Sequence, residues 1–312
     1  MEFTNHTIPA NTTTAAPVVW TSQLIFQATV LTLSVTANLV VLLDFLRIPA
    51  RITPFTIYLI ALLVANLLFL LPVTFLEILN TAYGGWWMGR RVCQMHNYFN
   101  EVWSGAQCLC HVLISVNRLW AVTFSVSYKH HHTKKVAVFS CVAALLWAHM
   151  GGLPIFILDT LYYNLDLRFG CHSNFSAMPA WNKVEDWMNH TGPLIFILLS
   201  YLYLFTHRLH RKRTRVAVVS TADTRMTIIS VAEAAVHKKP VVRREVVKPF
   251  MILSLTVVSI SVCWIPALVF FSTWFYAGVF LSPTFFVIAT GLYAMQALID
   301  PLLFAYALYR RT

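Results

Sequence analysis

The stretch Pro54–Leu79 reads PFTIYLIALLVANLLFLLPVTFLEIL, and it contains no basic residue, a single acid and a single amide. A helix of about 20 predominantly apolar residues crosses the hydrocarbon core of a bilayer. A surface helix of a soluble protein would instead show a polar face along its length. The stretch is therefore predicted to be a membrane-spanning helix, and it decides the fold class of the chain.

Six further stretches share this apolar character and are separated by short polar breaks. Of the 312 residues 58% are hydrophobic and 11% are charged, which is more apolar surface than a soluble core buries. The runs are continuous, whereas barrel strands would alternate over about ten residues. The predicted fold is an all-α membrane protein, a seven-transmembrane helix bundle. Its spans are Trp20–Leu46, Pro54–Leu79, Val92–Val122, Val136–Leu158, Trp187–Leu209, Val247–Tyr276 and Pro283–Tyr309.

The basic residues are distributed unevenly between the two ends of this bundle. Four of the 23, Arg90, Arg91, Arg168 and Lys183, lie between spans two and three or spans four and five. Because Lys and Arg are retained on the cytoplasmic side of short loops, the N-terminus is predicted to be outside and the C-terminus inside. Residues 1–19 are then an extracellular tail, 20–309 the transmembrane domain, 206–246 its third cytoplasmic loop and 310–312 a short cytoplasmic tail.

The same topology accounts for the sequons, the cysteines and the net charge of +11. Asn5, Asn11 and Asn174 lie in N-x-Ser/Thr sequons on the outer side and are expected to be glycosylated. Cys93 and Cys171 are the two of six cysteines on that oxidising side, so a disulfide between them is predicted. The positive charge suits an anionic inner leaflet, and membrane lipids rather than nucleic acid are the expected partners. No cleavable signal peptide is visible, so the first helix is expected to direct insertion.

Polar residues recur along span three at intervals of three or four, which places them on one stripe of a helix. They are Asn100, Ser104, Gln107, His111, Ser115 and Arg118. Ionisable groups at membrane depth are costly and usually functional, so the stripe is expected to face the interior of the bundle. An amide such as Gln107 is explained equally well as a hydrogen-bonding contact between helices. The predicted central polar network is Asn38, Asn66, Gln107, Gln296 and Asp300.

Four carboxylates, Glu77, Glu101, Glu185 and Asp186, map to the outer third of the spans. Unpaired carboxylates in a cavity favour a cation, to which aromatic rings add cation–π contacts. The predicted ligand is a small amine or a short basic peptide; the alternative is that some of these acids face loop water or are protonated. The predicted ligand-binding residues are Glu77, Asn100, Glu101, Ser104, Glu185, Asp186, Asn189, Trp264, Phe271 and Tyr293.

Other classes of membrane protein fit the sequence less well. A retinal protein needs a lysine in the last helix, and no lysine follows Lys248. A membrane transporter with a polar central pathway is the alternative, although no inverted repeat is visible. No carboxylate pair, metal triad or Ser/His/Asp set is visible at one depth, so no enzymatic activity, metal or cofactor is expected. The run His130-His131-His132 lacks spaced partners and is expected to be a solvated loop.

Motifs in chain order resemble those of rhodopsin-like (class A) G-protein-coupled receptors. They are ANLVV (Ala37–Val41), LLVAN (Leu62–Asn66), WWMG (Trp86–Gly89), SVNRLWAVT (Ser115–Thr123), Trp147, Pro193 with Tyr201, CWIP (Cys263–Pro266) and DPLLF (Asp300–Phe304). The end of span three is most similar to that of amine receptors. Each motif alone is a weak indication of the family. Their occurrence in the family's order, one after another from Trp20 to Arg311, is a strong one.

The resemblance implies a plasma-membrane receptor whose outer ligand pocket is coupled through Trp264 to a cytoplasmic opening for a heterotrimeric G protein. An agonist would shift a pre-existing equilibrium between two states. The resemblance places coupling at Asn117, Arg118 and Tyr201. The family usually has Asp at the positions of Asn66 and Asn117, Tyr at those of Leu119 and Phe304, and Asn at that of Asp300. Sodium binding and the restraint of the resting state are therefore expected to differ from the family pattern.

Overall fold

The computed structural model describes residues 20–161, 171, 178–229, 247–279 and 281–309, and only the backbone of residues 159, 211–229, 247–253, 275, 283 and 307–309. Seven long helices run through the described residues, with no strand among them, so the predicted seven-helix bundle is confirmed. They are α1 (Ser22–Arg47), α2 (Pro54–Phe69, the π turn Leu70–Thr74 and Phe75–Ala82), α3 (Arg90–Thr123), α4 (Lys134–Leu161), α5 (Pro179–Asp186, the π turn Trp187–Thr191 and Gly192–Ile229), α6 (Val247–Ala277) and α7 (Pro283–Tyr309). Short helices cover Pro49–Arg51 and Ser125–His131.

Helix α3 lies at the centre of the bundle and packs against α2, α4 and α5. Helix α7 packs against α6 and α1, and α1 returns to α2. One buried apolar cluster, which includes Phe45 and Leu62, lies among α1, α2, α3 and α4. Another, which includes Ile197 and Trp264, lies among α3, α5 and α6. The polar residues of α3 and α7 lie between these two clusters.

Six of the seven described helices are long and apolar enough to cross a membrane by length and composition. Helix α3, with 34 residues, is long enough but carries the polar stripe along its length. Ser104, Gln107, His111 and Ser115 of this stripe are buried, and Asn100 and Arg118 near its two ends are half-buried. The stripe therefore faces the interior of the bundle, as predicted.

Local sequence explains where the helices begin. The Thr21 hydroxyl caps α1 by accepting a hydrogen bond from the backbone N–H of Leu24. Thr53 and Thr56 form a reciprocal capping box at the start of α2, where Pro54 occupies the first turn. Gly89 precedes α3 with a φ of 83°, a left-handed conformation that favours glycine. These positions lie within a few residues of the predicted starts.

Helix α5 corrects two predicted boundaries. It begins at Pro179, not at Trp187, because Lys183, Glu185 and Asp186 lower the hydropathy of its first turns although both acids are buried. It also continues to Ile229, so the first half of the predicted loop 206–246 is helical. Polar residues ended the apolar run near Leu209, and a helix that leaves the membrane can continue in water.

The two ends of the bundle carry different features. The predicted disulfide is present: Cys93 at the start of α3 is bonded to Cys171, with 5.5 Å between their Cα atoms. Both cysteines pack against Trp86. We call this the disulfide end and the opposite one, where α3 finishes, the Arg118 end. The sequons at Asn5, Asn11 and Asn174 lie outside the described residues.

Candidate functional site

Five polar side chains from four helices meet in the middle of the bundle. Asp300 of α7 accepts hydrogen bonds from Gln296 Nε2 at 2.7 Å and from Asn66 Nδ2 of α2 at 3.5 Å. Asn66 also contacts Asn38 of α1 and Gln107 of α3. Each of the five is at most 5% exposed. The structure thus brings together every residue predicted for the central network.

The amides of this network point in a consistent direction. Gln107 Nε2 donates to Asn66 Oδ1 at 3.0 Å, which turns the Asn66 NH₂ group toward Asn38 Oδ1 and Asp300. Asn38 Nδ2 donates to the carbonyl oxygens of Ser34 and Ala297. The Asp300 carboxylate therefore receives amide donors from both α2 and α7. A carboxyl group placed as a pure acceptor in this way suits the ionised form.

His111 joins the network from α3. Its Nε2 lies 3.3 Å from Asp300 Oδ2, and both side chains are 1% exposed. Neither ring nitrogen of His111 has a hydrogen-bond partner among the described residues. The contact is therefore electrostatic in character rather than a directed hydrogen bond. His111 belonged to the predicted stripe but was not predicted as a member of the network.

Trp264 of α6 links the network to the disulfide half of the bundle. Its ring meets His111 edge-on, with 5.3 Å between ring centres, and stacks on Tyr293 of α7 at 5.8 Å. The Tyr293 hydroxyl donates to Gln107 Oε1 at 3.5 Å. A ligand that moves Trp264 or Tyr293 therefore acts directly on the contacts around Asp300.

A second polar cluster surrounds the π turn of α5. Asn189 Nδ2 donates to Glu185 Oε1 at 3.0 Å, His190 Nδ1 lies 4.0 Å from the same oxygen, and His190 Nε2 lies 3.1 Å from Ser104 Oγ. The sequence was expected to hold no Ser/His/Asp set at one depth; the structure places Ser104, His190 and Glu185 near one another at the π turn of α5. The set does not form a hydrolytic triad, since the Ser104 hydroxyl is within donor distance of the Asn100 carbonyl and the His190–Glu185 contact is long.

Asp186 has its own partners beside this cluster. Its Oδ2 accepts from the Thr191 hydroxyl at 2.8 Å and from the Tyr276 hydroxyl at 3.3 Å. Lys183 Nζ lies 5.4 Å from the centre of the Tyr276 ring. Glu185 and Asp186 were expected to be unpaired, but both accept hydrogen bonds; the wider turn of α5 brings Thr191 back to Asp186, and α6 supplies Tyr276.

Two glycines let α3, α4 and α5 approach closely at Asn189. A Cβ atom on Gly105 would lie 3.1 Å from Asn189 Cβ, and a Cβ atom on Gly151 of α4 would overlap Asn189 Nδ2. Asn189 is fully buried in this gap. Trp181 Nε1 also donates to the Gly151 carbonyl at 3.1 Å. Asn189 is thus a packing residue as well as a partner of Glu185.

The other two predicted carboxylates lie near Tyr293. Glu77 of α2 and Glu101 of α3 lie within electrostatic range of Tyr293 of α7. The Glu77 side chain is exposed, and Glu101 is half-buried, as is Asn100. Phe271 packs edge-on against Phe270 in an aromatic cluster of α6 and α7. Three helices therefore present two acids and one phenol to the same region of the disulfide half.

At the Arg118 end, Asn117 is bonded to residues beyond α3. Asn117 Nδ2 lies 2.7 Å from His132 Nε2, and its Oδ1 accepts from the Tyr128 hydroxyl at 3.3 Å. The Arg118 guanidinium carbon lies 3.7 Å from the centre of the Phe55 ring, within cation–π range. Tyr201 of α5 is half-buried and stacks on Phe205.

His132 corrects the prediction that the histidine run is solvated. His130 and His131 are exposed, but His132 is half-buried and stacks on Tyr128 at 4.4 Å and on Tyr58 at 5.9 Å. Burial lowers the pKa of His132. A lowered pKa favours the neutral imidazole at neutral pH, in which Nε2 can accept the amide hydrogen of Asn117.

Three histidines that were not predicted as site residues take part in these polar contacts: His111, His132 and His190. His111 lies on the polar stripe, and His190 follows a buried asparagine, so a polar face at helical spacing was a usable signal for both. The run at positions 130–132 gave no such signal. Its three histidines are identical in sequence, but His132 alone of the three contacts Asn117 of α3.

Comparison with known proteins agrees with this arrangement. A sequence profile described as 7 transmembrane receptor (rhodopsin family) matches residues 37–304. The alpha-2 adrenergic receptor of Labrus ossifagus is 23% identical over 186 residues, which are 58% of this chain and 41% of that receptor. The chain thus spans about two fifths of the length of this curated relative.

Proposed function

The chain belongs to the rhodopsin family of seven-transmembrane receptors, and from this premise we infer that it binds a cationic ligand at the disulfide end and activates a heterotrimeric G protein at the Arg118 end. The family makes the chain a G-protein-coupled receptor and a multi-pass protein of the plasma membrane. The ligand class, the orientation and the coupling are our proposals, and so is a receptor role without enzymatic activity. The alternative of a transporter receives no support from the family match.

The orientation that we propose places the disulfide end outside the cell. A disulfide persists in an oxidising compartment and is rare in the cytosol, and Cys93–Cys171 is at this end. The opposite end carries most of the basic residues, which the cytoplasmic side retains. Both features support an extracellular ligand and a cytoplasmic G protein.

The observation that carries the ligand proposal is that Glu77 of α2 and Glu101 of α3 lie within electrostatic range of Tyr293 of α7, on the disulfide side of the central network. Two carboxylates near one site repel anions, and the attraction of a cation at about 4 Å is about 4 kcal/mol at an intermediate dielectric constant. Glu185 and Asp186 have partners within the protein, so they support the shape of the pocket more than its charge. We therefore place the positive group of a small amine, or of a short basic peptide, between α2, α3 and α7.

The related adrenergic receptor supports an amine ligand in general terms only. Its identity to this chain is 23%, and the present chain has Asn100 where amine receptors usually carry an aspartate. An amine bound here would therefore find its carboxylate at the neighbouring Glu101 or across the cavity at Glu77.

The ligand proposal is tested by screening cationic, neutral and anionic compounds for G-protein activation in cells that express the full chain. With a cationic hit, Glu77→Gln and Glu101→Gln should each raise the half-maximal concentration about tenfold or more. A tenfold change corresponds to a loss of about 1.4 kcal/mol of binding free energy. Asp44→Asn is the matched control, because Asp44 pairs with Arg51 at the other end of the bundle. An anionic or neutral-lipid agonist, or a cationic agonist insensitive to both variants, contradicts the proposal.

The coupling proposal rests on the Arg118 end. Phe124, which precedes the short helix Ser125–His131, is 68% exposed, and Val126 within that helix is 72% exposed. Apolar side chains this exposed suit contact with a partner protein. Replacing Val126 with Asp should abolish G-protein activation without loss of surface expression, whereas Lys129→Asp on the same helix should have less effect. Equal activation by both variants would contradict a docking role for this surface.

A further inference from the structure

We propose that His111 is the internal counterion of Asp300: a protonated imidazole that neutralises the buried carboxylate and holds α3 against α7, so that the network needs no cation from solution. The central observation is the 3.3 Å contact between two side chains that are each 1% exposed. The proposal does not depend on which ligand the receptor binds.

The hydrogen-bond directions support an ionised Asp300. Gln296 donates to Oδ1 and Asn66 donates to Oδ2, so amide NH₂ groups approach both oxygens. The donation from Gln107 to Asn66 fixes the orientation of the second of these amides. Both oxygens of Asp300 thus accept from amide donors, as an ionised carboxylate does. The carboxylate therefore keeps its negative charge in the middle of the bundle.

A buried carboxylate requires a compensating charge nearby. Each helix around Asp300 presents its groups: Asn38 from α1, Asn66 from α2, Gln107 and Cys110 from α3, Cys263 and Trp264 from α6, and Gln296 from α7. Amides carry no charge, and the titratable thiols of Cys110 and Cys263 add none of positive sign. Within the part of the chain that the structure describes, His111 is the group at contact distance that can be positive.

The surroundings of His111 suit a cation. Its ring meets Trp264 edge-on at 5.3 Å, and neither ring nitrogen is committed to another acceptor among the described residues. The electrostatic partner of the imidazole is therefore Asp300, on a helix that is distant in sequence. Separating α3 from α7 would leave both charges buried without compensation, which is strongly unfavourable. The pair thus restrains the relative position of α3 and α7 at the point where His111 contacts Trp264.

The pairing is tested by thermal unfolding of the full chain purified in detergent. His111→Asn should lower the unfolding temperature by about 5–10 °C, because it leaves the buried charge of Asp300 alone, and Asp300→Asn should lower it as well, because it removes the partner that keeps the imidazole charged. The double variant should lose clearly less than the sum of the two. His149→Asn is the matched control, since His149 bonds to Tyr98 on the far side of α3 and should add to Asp300→Asn. Strict additivity of His111→Asn and Asp300→Asn overturns the proposal.

A second measurement asks which cation neutralises Asp300. Exchanging choline chloride for sodium chloride at constant ionic strength should leave the unfolding temperature of the unaltered chain unchanged. In His111→Leu the imidazole is gone, so Na⁺ should raise that temperature by a few degrees. Equal stabilisation by Na⁺ in both proteins would show that a metal ion, and not His111, is the counterion.

The charge of the ring is read directly from nitrogen magnetic resonance of histidine-labelled chain at neutral pH. We expect one protonated histidine signal that disappears in His111→Asn and shifts to the neutral form in Asp300→Asn. The spectrum of the unaltered chain carries this test even where a variant fails to fold. A spectrum with only neutral or solvent-exposed histidine signals overturns the proposal.

Discussion

At the scale of single residues, Asn66 and Asp300 exchange the residue types that the family usually has at these two positions. Their side chains touch, with 3.5 Å between Asn66 Nδ2 and Asp300 Oδ2. One negative charge is therefore kept in the same place, although it is carried by a different helix. We expect the location of the charge to matter more than the identity of its carrier.

Asp300→Asn should impair G-protein activation, and adding Asn66→Asp should restore part of it. Residues in one hydrogen-bond network show coupling energies of about 0.5–3 kcal/mol, so the double variant should regain at least severalfold. Asn66→Asp alone places two carboxylates in contact and should be the least stable of the three. The three variants are compared by activation at matched surface expression. A double variant no better than Asp300→Asn would show that the two positions do not share a function.

Asn117 belongs to the same scale, at the other end of α3. An aspartate beside Arg118 would hold the guanidinium by charge, and the amide of Asn117 carries no charge with which to do so. We therefore expect raised basal activation, which Asn117→Asp should lower. The contacts of Asn117 with His132 and Tyr128 replace part of the missing restraint. His132→Phe should therefore raise basal activation further, whereas His131→Phe at an exposed position should not.

The pH dependence of this contact has a definite sign. Burial lowers the pKa of His132 below its usual value, so the contact is complete at neutral pH and is lost as the pH falls through that lowered pKa. Protonated Nε2 cannot accept the Asn117 amide. Basal activation in isolated membranes should therefore rise on acidification of the cytoplasmic face, and His132→Phe should flatten that rise. A profile that is identical in the two proteins would exclude His132 as its cause.

The members of the central network were predictable from the sequence, but the contacts of the histidines were not. Asp300, Gln296 and Asn66 are polar groups inside apolar runs, and the cost of burying them marks them at once. The contact of His111 with Asp300 joins two helices that are remote in the chain, so no local pattern contains it. The same is true of His132, whose contact with Asn117 depends on how the short helix Ser125–His131 folds back.

At the scale of helices, the π turn of α5 explains the error in its predicted start. Hydropathy located the apolar part of α5 after Trp187 and treated Glu185 and Asp186 as the beginning of the helix. The wider turn instead brings His190 and Thr191 back to these two acids. π turns occur mostly at functional sites and leave little trace in composition, so sequence periodicity did not reveal this one.

The contact between α4 and α5 makes a prediction at the same scale. Gly151→Ala should destabilise the receptor by about 1–3 kcal/mol, the usual range for overpacking, because its Cβ would overlap the fully buried Asn189. This exceeds the gain of about 1 kcal/mol in helix propensity. Gly291→Ala is the control, since its new Cβ meets only the end of the Phe26 ring at 3.2 Å. Unfolding temperatures that fall equally, or that both rise, would contradict the proposed role of Gly151.

At the scale of the whole molecule, the number and order of the helices followed from hydropathy, because lipid imposes a length on every span. The disulfide followed from topology and redox compartment, and Cys93–Cys171 confirmed it. The limits of α5 and the contacts of the polar clusters could not be predicted in this way. Both depend on tertiary contacts among polar residues, and an average of hydropathy along the chain does not contain those contacts.

The proposed orientation predicts where glycans are attached. Asn5, Asn11 and Asn174 should carry them, and Asn189 should not, because Asn189 is fully buried between α3, α4 and α5. In cells, a glycosidase should shift the electrophoretic mobility of the unaltered receptor. The triple variant Asn5→Gln, Asn11→Gln, Asn174→Gln should show no shift although the sequon at Asn189 remains. A persistent shift in the triple variant, or no shift in the unaltered receptor, would contradict this topology.

The polar stripe of α3 also has a consequence for biosynthesis. Among the described long helices, α3 is the one that is not apolar enough to cross a membrane by composition. Insertion of an isolated helix through the translocon costs about 2.5–3.5 kcal/mol for each charged group at its centre. Polar groups of its stripe contact α2, α5 and α7. Helix α3 should therefore enter the lipid most favourably together with the helices that supply its partners. We expect the amount of receptor at the cell surface to depend on whether the translocon retains α3 until α7 has been synthesised.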